Sequence, residues 1–398
     1  MSLTTRAARR LAALRAEHLL RVPPQLHSRR GVEYTLGERR VVGFCSNDYL
    51  GLATEKSGAS PQPTGAGASR LIAGDLPHHR DVEAKLAALC GAQDAVVFPS
   101  GFQLNVGVIP CLVERGDVVH SDRLNHASII DGLRLARATP NILPHGRAPD
   151  DDPDPSRLHW WMTESIFSMD GDRLDARALG AYQARGGTLY VDEAHAFGLF
   201  PGGVGLLHDH DLVPDVLVGT LSKAYGCAGA FVAASSDVCH WIRNRARSFV
   251  FSTGTAPSVL ADIAARIELL AGEEGQRLRA TLWRNARHLA AALRGNDPGA
   301  SDPPSPIFPI VVGDNAAAMR VAADLLAHGI HVQAIRPPTV PVGTARLRLT
   351  VTAAHTPEQI EELAERVKLA LADEGLPLKI ERGAAAPSAE SPARESSW

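Results

Sequence analysis

The sequence has few cysteines, and no two of them form a CxxC pair. An odd number of scattered cysteines argues for a reducing compartment and against a disulfide framework or a structural zinc. We therefore expect no metal site. The five cysteines are Cys45, Cys90, Cys111, Cys227 and Cys239.

The chain also lacks long apolar runs and a large excess of either charge. No apolar run approaches the roughly 20 residues that a helix needs to cross a bilayer. The net charge of −3 offers no basic field to nucleic acid or to an anionic membrane. The N-terminal stretch lacks the apolar core of a secretory signal, although its Arg-rich, acid-poor pattern leaves a mitochondrial transit peptide as an alternative. We expect a cytoplasmic protein without membrane or nucleic-acid partners.

The length and the hydrophobic content predict two packed domains. The chain has 398 residues, of which 45% are hydrophobic. Residues 1–22 predict a helix that ends before two prolines, and the pattern of residues 32–44 predicts a small hairpin. The predicted division is an N-terminal helix and hairpin, a large α/β domain, a small α+β domain and a disordered tail, at residues 1–40, 41–268, 269–383 and 384–398.

Short apolar strands alternate with helical segments from residue 80 onward. Such alternation predicts βαβ units and a mostly parallel sheet that is buried on both faces. A long helical stretch over residues 258–294 follows. The order after it is strand, helix, strand, strand and helix, which predicts a separate α+β module. The fold class is therefore α/β with a smaller C-terminal α+β domain.

Lys223, in VLVGTLSKAYG, follows a buried strand at the edge where open α/β sheets bind ligands. An isolated lysine of this kind is usually an exposed loop residue, so its interpretation depends on its neighbours. Asp192 ends another apolar strand, and His195 follows three residues later. A carboxylate there needs a partner, and a pyridinium N–H would provide a charge-assisted hydrogen bond. A metal-binding Asp-x-x-His pair or a Walker B-like strand is the alternative, but no Walker A motif accompanies it.

Two further segments complete the pattern. Ser100, Gly101 and Phe102 join a strand to a helix, where backbone N–H groups can hold a phosphate, and Thr220 could add a hydroxyl. His126 lies between a strand and a helix, where its imidazole could stack on a cofactor ring; a capping or core histidine is the alternative. Together these features predict a site for pyridoxal 5'-phosphate (PLP).

Six sequence blocks resemble the α-oxoamine synthases, a family of fold-type I PLP enzymes. The blocks occur in the family's order, and the resemblance covers nearly all of residues 8–375. It implies a large domain with a mostly parallel central sheet, a smaller C-terminal domain and a homodimer with shared active sites. It also implies the condensation of an amino acid with an acyl thioester and the release of CO2. The blocks are SNDYLGLA (46–53), HASIIDG (126–132), TESIFSMDGD (163–172), VDEAHAFG (191–198), GTLSKAYG (219–226) and FSTGT (251–255).

The resemblance implies roles for individual residues. Lys223 would bind PLP covalently as a Schiff base, and Thr253 would reach the phosphate of the partner subunit. The implied catalytic residues are Lys223, His126, Asp192 and His195. The implied cofactor contacts are Gly101, Phe102, His126, Ser168, Asp192, His195, Thr220, Lys223 and Thr253. The implied substrate contacts are Arg21, Asn47, His126, Arg336 and Thr339.

The block at residues 334–356 most resembles the biotin-pathway member of the family, which joins L-alanine to a pimeloyl thioester. The donor would be coenzyme A or an acyl carrier protein. The basic run of Arg243, Arg245 and Arg247 could meet an acidic carrier or form a solvated helix face. The alternatives are a family member that uses glycine or serine, an aminotransferase or lyase on the same fold, and a non-catalytic PLP-fold protein. The stretch from Leu52 to Gly65 is shorter than the family usually has, which affects the expected shape of the acyl entrance.

Overall fold

The computed structural model describes residues 1–294 and 303–380. The predicted tail at residues 384–398 lies outside this part of the chain. The helices are α1 (Leu3–Ala16), α2 (Pro77–Leu89), α3 (Gly101–Leu112), α4 (Ala127–Leu135), α5 (Ala176–Ala184), α6 (Ser236–Arg245), α7 (Arg247–Val250), α8 (Pro257–Ala271), α9 (Glu273–Arg294), α10 (Asn315–Ala327) and α11 (Pro357–Asp373). The strands are β1 (Leu26–Arg30), β2 (Glu33–Leu36), β3 (Arg39–Gly43), β4 (Asp94–Phe98), β5 (Val118–Asp122), β6 (Asn141–Leu143), β7 (His159–Glu164), β8 (Thr188–Asp192), β9 (Val216–Thr220), β10 (Ala230–Ala234), β11 (Ile307–Gly313), β12 (Ile330–His331), β13 (Gln333–Ile335) and β14 (Ala345–Thr350).

Seven strands form the central sheet in the order β4-β10-β9-β8-β7-β5-β6. The five neighbouring strands β9, β8, β7, β5 and β6 pair in parallel, whereas β10 is antiparallel to both of its neighbours, β4 and β9. The prediction of a mostly parallel sheet is confirmed. The sequence did not predict β10, because its AFVAA segment is rich in alanine, which is a weak strand former.

Both faces of the central sheet are covered, as its apolar strands require. Every residue of β7 and β9 is buried. On one face, α3, α4 and α6 pack against side chains such as Val218 and Val232, and on the other face α2, α5 and α8 contribute to the core. Helices on both faces leave only the strand edges open to ligands.

The C-terminal strands form a second, antiparallel sheet in the order β11-β14-β13. It packs with α10 and α11 around an apolar core that also contains Phe44, which directly follows β3. The predicted hairpin at residues 32–44 is confirmed as β2 and β3, and β1 adds a third strand. β12 then pairs in parallel with β3, so the N-terminal strands are joined to the C-terminal core. The predicted division of the chain into domains stays a prediction.

The N-terminal helix is shorter than predicted, because α1 ends at Ala16. The backbone of His18 is left-handed, with φ of 55°, and the His18 carbonyl accepts a hydrogen bond from the guanidinium of Arg336. A left-handed residue ends a right-handed helix. The predicted helical stretch at residues 258–294 is likewise divided at Gly272. Among the helices of the described residues, none has the length and apolar character needed to cross a membrane.

Candidate active site

Four adjacent strands of the central sheet end in buried polar side chains at one edge. β9, β8, β7 and β5 are neighbours and parallel, and their last residues are Thr220, Asp192, Glu164 and Asp122. Buried polar groups are costly unless they have partners. The carboxyl edge of this sheet is therefore built to hold polar ligands, as in other open α/β folds.

Lys223 follows β9 in a short loop that the backbone holds closed. The N–H of Leu221 donates to the carbonyl of Gly229 at 2.9 Å. Burial lowers the pKa of the Lys223 amine to about 8, although Asp192 and Glu164 work in the opposite direction. The amine is thus neutral far more often than a surface lysine, and the neutral form is the one that acts as a nucleophile or base.

Asp192 is oriented by Asn105, which the sequence analysis did not single out. The Nδ2 of Asn105 donates to one carboxylate oxygen at 2.9 Å, and the N–H of Ala194 donates to the other at 2.9 Å. The hydroxyl of Tyr190 donates in turn to Oδ1 of Asn105 at 2.6 Å. A carboxylate fixed in this way is suited to accept a charge-assisted hydrogen bond from a pyridinium N–H.

His195 lies against Tyr49, which belongs to the SNDYLGLA block. Its Nδ1 is 2.6 Å from the Tyr49 hydroxyl, whereas Oδ1 of Asn47 is 3.5 Å from that hydroxyl. Burial raises the pKa of Tyr49 and lowers the pKa of His195 well below 6.5, so both side chains are neutral. We assign the Tyr49 proton to the shorter contact, which leaves the Nε2–H of His195 available to a ligand.

His126 caps α4 and presents its ring to the same site. Its backbone N–H donates to Oε1 of Glu164 at 2.6 Å, and its ring Nδ1 is 2.7 Å from the Ser128 hydroxyl. The ring is exposed and meets Phe102 edge-on, with 6.4 Å between centroids. The structure therefore shows the capping role considered for His126, and the exposed ring leaves a face that a cofactor can stack on.

Glu164 is a further buried carboxyl that the sequence analysis did not assign to the site. Burial and the nearby charge of Asp192 raise its pKa well above the usual range. Its protonated form is favoured, because Glu164 is buried and pairs with Asp192 on the neighbouring strand. The TESIFSMDGD block contained this signal, since Glu164 ends an entirely buried strand.

The predicted phosphate turn lies at the start of α3. The hydroxyl of Ser100 accepts from Gln103, while the N–H groups of Gly101 and Phe102 lie in the first turn, where a helix offers no carbonyl. Thr220 lies close to this turn through Ala230. Ala230 is the partner of Thr220 on the neighbouring strand, and its Cβ would be 4.0 Å from a Cβ added to Gly101. The hydroxyls of Thr220 and Ser222 are 2.9 Å apart. The turn thus combines backbone and hydroxyl donors.

Arg348 is the main site residue that the sequence analysis missed. It is buried, with its Nε donating to the carbonyl of Ser168 at 2.5 Å and its Nη1 to the Thr350 hydroxyl at 2.9 Å. Within the described residues, its buried Nη2 has no hydrogen-bond partner. Its positive charge lowers the pKa of both Lys223 and His195, so its guanidinium lies near both side chains. The signal was the alternation in ARLRLT, which puts two arginines on one face of a buried strand.

Three of the predicted substrate contacts lie together beside the N-terminal segment. The Nη2 of Arg21 is 3.0 Å from the Thr339 hydroxyl and 3.5 Å from the carbonyl of Arg336. The guanidinium of Arg336 bonds back to the carbonyl of His18. Of the other two predicted substrate contacts, Asn47 lies next to Tyr49 and His126 caps α4.

Two other predicted contacts have different surroundings. Ser168 lies in the segment after β7, and its carbonyl is held by Arg348. Thr253 lies in an exposed segment that forms a bridge with Ser69, and its neighbour Ser252 accepts a hydrogen bond from Gln103 of α3 at 2.7 Å. Their proposed roles at the cofactor stay predictions.

The basic run near residue 245 is not a continuous surface patch. Arg243 is buried, and its guanidinium bonds to Glu83, Asp94 and the carbonyl of Ala95. The expectation of three arginines on one solvated or carrier-binding face is wrong for Arg243. The acidic partners that cause this burial are distant in sequence.

The residues at this edge fit PLP group by group. The first turn of α3 and two hydroxyls suit the phosphate, and the fixed carboxylate of Asp192 suits the ring nitrogen. The Nε2–H of His195 suits the phenolic oxygen, and the partly neutral amine of Lys223 suits the aldehyde.

Comparisons with known proteins identify the family of this chain. The aminotransferase class I and II family matches residues 39–367. The 8-amino-7-oxononanoate synthase of Herminiimonas arsenicoxydans is 39% identical over 90% of this chain and 97% of its own. The enzyme of the same name from Pseudomonas fluorescens is 42% identical over 89% and 94%. A serine palmitoyltransferase from S. paucimobilis, solved with a bound PLP–myriocin adduct, has a TM-score of 0.82 at 27% identity and covers 94% of this chain and 100% of its own.

These likenesses extend over nearly the whole chain, and the residues at the sheet edge fit the cofactor that the structural neighbour holds. The chain therefore belongs to the aminotransferase class I and II family, and within it to the PLP-dependent α-oxoamine synthases of the 8-amino-7-oxononanoate synthase group.

Proposed function

We propose that the protein condenses L-alanine with a pimeloyl thioester to give 8-amino-7-oxononanoate, CO2 and a free thiol, as a step of biotin biosynthesis. The observation that supports this most is a partly neutral Lys223 that lies close enough to the buried guanidinium of Arg348 for that charge to lower the lysine pKa. Such a pair provides a base for the Cα proton and an anchor for the carboxylate of an amino acid. The names of the relatives support the choice of substrates.

The proposed reaction requires a proton to leave Cα of the bound amino acid. When bound, PLP supplies an electron sink for the negative charge that forms at this carbon. Lys223 would hold PLP covalently until the amino group of L-alanine takes its place, and the released neutral amine would then accept the Cα proton. Asp192, held by Asn105, would keep a proton on the ring nitrogen, and His195 would offer its Nε2–H to the phenolic oxygen.

In this proposal, Arg348 binds the amino-acid substrate and Arg336 binds the acyl thioester. Arg348 orients the carboxylate that later leaves as CO2. Arg336, with Arg21 and Thr339, contacts the acyl thioester in this proposal; Arg21 and Thr339 are exposed and lie beside the N-terminal segment. Glu164 accepts from the backbone N–H of His126, and its raised pKa limits the negative charge next to Asp192.

We further propose that the protein acts as a homodimer with shared active sites. Four exposed apolar side chains, which we call the apolar rim, lie on α3, on the helical turn at Arg70–Gly74 and directly after α7, and α7 contacts both α3 and that turn. They are Leu71, Ile72, Phe102 and Phe251, with exposed fractions of 50%, 81%, 48% and 72%. Large apolar side chains exposed on neighbouring elements are typical of protein interfaces. Thr253, two residues from Phe251, would then reach the phosphate of the partner subunit.

The proposed location is the cytoplasm, with free cysteines as the support. An acyl carrier protein is a possible donor alongside coenzyme A. With Arg243 buried, only Arg245 and Arg247 of the basic run could meet an acidic carrier. Both of these guanidinium groups already lie over aromatic rings, of Trp241 and Phe251 respectively.

The test is a coupled assay of the purified, PLP-loaded protein with L-alanine and either pimeloyl-CoA or pimeloyl-acyl carrier protein. We expect equal amounts of CO2 and of 8-amino-7-oxononanoate, identified by mass spectrometry. Glycine, and serine with palmitoyl-CoA, serve as competing substrate pairs. Faster turnover of either pair would contradict the proposed substrates, and amino-group transfer without CO2 would contradict the reaction type.

A further inference from the structure

A second group of polar side chains lies toward the amino ends of the central strands, away from the catalytic edge. His120 projects from the middle of β5, and His159 begins β7. Val118 is the residue opposite His159, and His120 lies two positions further along the strand. Since side chains alternate along a strand, both imidazoles lie on the same face of the sheet. Asp151, from the irregular segment before β7, lies between them.

The three side chains approach one another closely in a largely buried position. The Nε2 of His120 is 3.0 Å from Oδ1 of Asp151, and the Nδ1 of His159 is 3.0 Å from Oδ2. One donor atom from each residue lies within 4.8 Å of the others. The exposed fractions of the side chains are 7% for His120, 5% for His159 and 34% for Asp151.

His120 is the unexplained member of this group. Within the part of the chain that the structure describes, neither of its ring nitrogens has a hydrogen-bond partner, and neither has Oδ1 of Asp151. Its Nε2 lies 3.0 Å from Oδ1. Buried polar atoms without partners are rare and call for a water or an ion. Ligand atoms that share a tetrahedral metal ion are roughly 3.3 Å apart without hydrogen-bonding each other.

We propose that His120, Asp151 and His159 bind a divalent transition metal, with Zn²⁺ as the best match. Two imidazoles and one carboxylate are a familiar zinc ligand set, and the fourth position can be taken by water on the exposed side of Asp151. The ion would fasten the segment before β7 to the sheet. The sequence analysis expected no metal site because it weighed only the cysteines and the Asp192–His195 pair. This site lies apart from Lys223, so the proposal does not depend on the proposed reaction.

Metal binding has one structural cost that makes the proposal specific. The N–H of Asp154 donates to Nε2 of His159 at 3.0 Å, so the His159 proton sits on Nδ1 in the metal-free protein. Coordination through Nδ1 moves this proton to Nε2 and breaks the bond to Asp154. The Asp154 amide should then exchange faster with solvent when the ion is bound.

The experiment is zinc binding to the full-length, PLP-loaded protein after dialysis against a chelator. We expect one Zn²⁺ per chain at this site, a higher melting temperature with Zn²⁺ and faster hydrogen exchange at Asp154. Asp151→Asn should weaken zinc binding at least tenfold and remove the thermal shift, while the amide oxygen still accepts from His159. Asp152→Asn, at the exposed neighbouring position, is the matched control and should bind zinc like the original protein.

His120→Gln provides a second test that leaves Asp151 in place. It should weaken zinc binding as Asp151→Asn does. The proposal is overturned if the original protein binds no Zn²⁺ beyond that bound by Asp151→Asn, or if Asp152→Asn weakens binding equally. It is also overturned if His120→Gln, folded by circular dichroism, retains full zinc affinity.

Discussion

At the scale of single residues, Lys223 shows how the surroundings of one side chain set its reactivity. The pKa of the amine is lowered to about 8, chiefly by burial, while Asp192 and Glu164 limit the shift. At pH 7, about a tenth of such an amine is neutral, against roughly one part in three thousand for an ordinary lysine. The burial of one amine thus changes the available nucleophile by orders of magnitude.

The rate at which PLP-free protein takes up PLP should therefore rise with pH and level off above about 8. Only the neutral amine attacks the aldehyde, and its fraction saturates once the pH exceeds the pKa. Stopped-flow absorbance of the bound cofactor measures this rate. Lys223→Ala should show no covalent uptake, and exposed Lys85→Ala is the control that should leave the profile unchanged. A midpoint near 10.5 would contradict the lowered pKa.

Arg348 makes a separate prediction about the amino-acid substrate. Arg348→Gln should raise the KM for L-alanine by about 10- to 100-fold, because a charge-assisted hydrogen bond contributes about 1.5–3 kcal/mol. Arg336→Gln is the matched variant and should mainly raise the KM for the thioester. Steady-state kinetics with each substrate varied in turn separates the two. Equal effects on both substrates would show that the two arginines do not divide them.

At the scale of elements, His145 links the end of β5 to the segment that follows β7. Its Nδ1 is 3.0 Å from Oδ1 of Asp122, and its Nε2 is 2.6 Å from Oδ2 of Asp172. Burial alone would lower its pKa, but the two carboxylates raise it to about 10. The imidazolium therefore holds Ser168 and its segment against the sheet edge throughout the neutral pH range.

The stabilisation from His145 should be lost as the pH rises. Its pKa is raised on folding from 6.5 to about 10, so the contribution is complete below pH 6.5, declines between the two values and is absent above about 10. Asp172→Asn should cost about 3 kcal/mol at pH 6, because it breaks a buried ion pair. The cost should shrink toward pH 10. Denaturant unfolding of both proteins at several pH values measures the difference, and a pH-independent difference would contradict this account.

The sequence predicted the elements better than the contacts between them. Strand ends such as Asp192 and the turn at Gly101 are visible locally, because apolar runs and glycines mark them. The partners Asn105 and Tyr49 were not visible, because pairing across the fold leaves no local pattern. Arg348 was missed for a related reason: an arginine in a strand suggests an exposed position, and only the packing of β14 shows that it is buried.

At the scale of the whole molecule, the apolar rim predicts how two copies meet. Phe251→Asp should convert the dimer to a monomer and reduce activity strongly, because a buried unpaired carboxylate disfavours the interface. Sedimentation velocity measures the mass. Leu369→Asp, at an exposed position on α11, is the control and should leave the mass unchanged. A dimer that survives Phe251→Asp with full activity would place the interface elsewhere.

The pairing of β3 with β12 has a consequence for how the chain is made. Val42 pairs with Ile330, so β3 is synthesised early but cannot complete this pairing until β12 has been synthesised near the C-terminal end. The side chain of Phe44 lacks its packing partners until then as well, since the apolar core around it is formed by C-terminal residues. The central sheet can form from consecutive segments while synthesis continues, but the first 44 residues cannot reach their final positions until the C-terminal strands exist. During that interval, β2 covers one edge of β3, while its other edge and the apolar side chain of Phe44 remain exposed on the nascent chain.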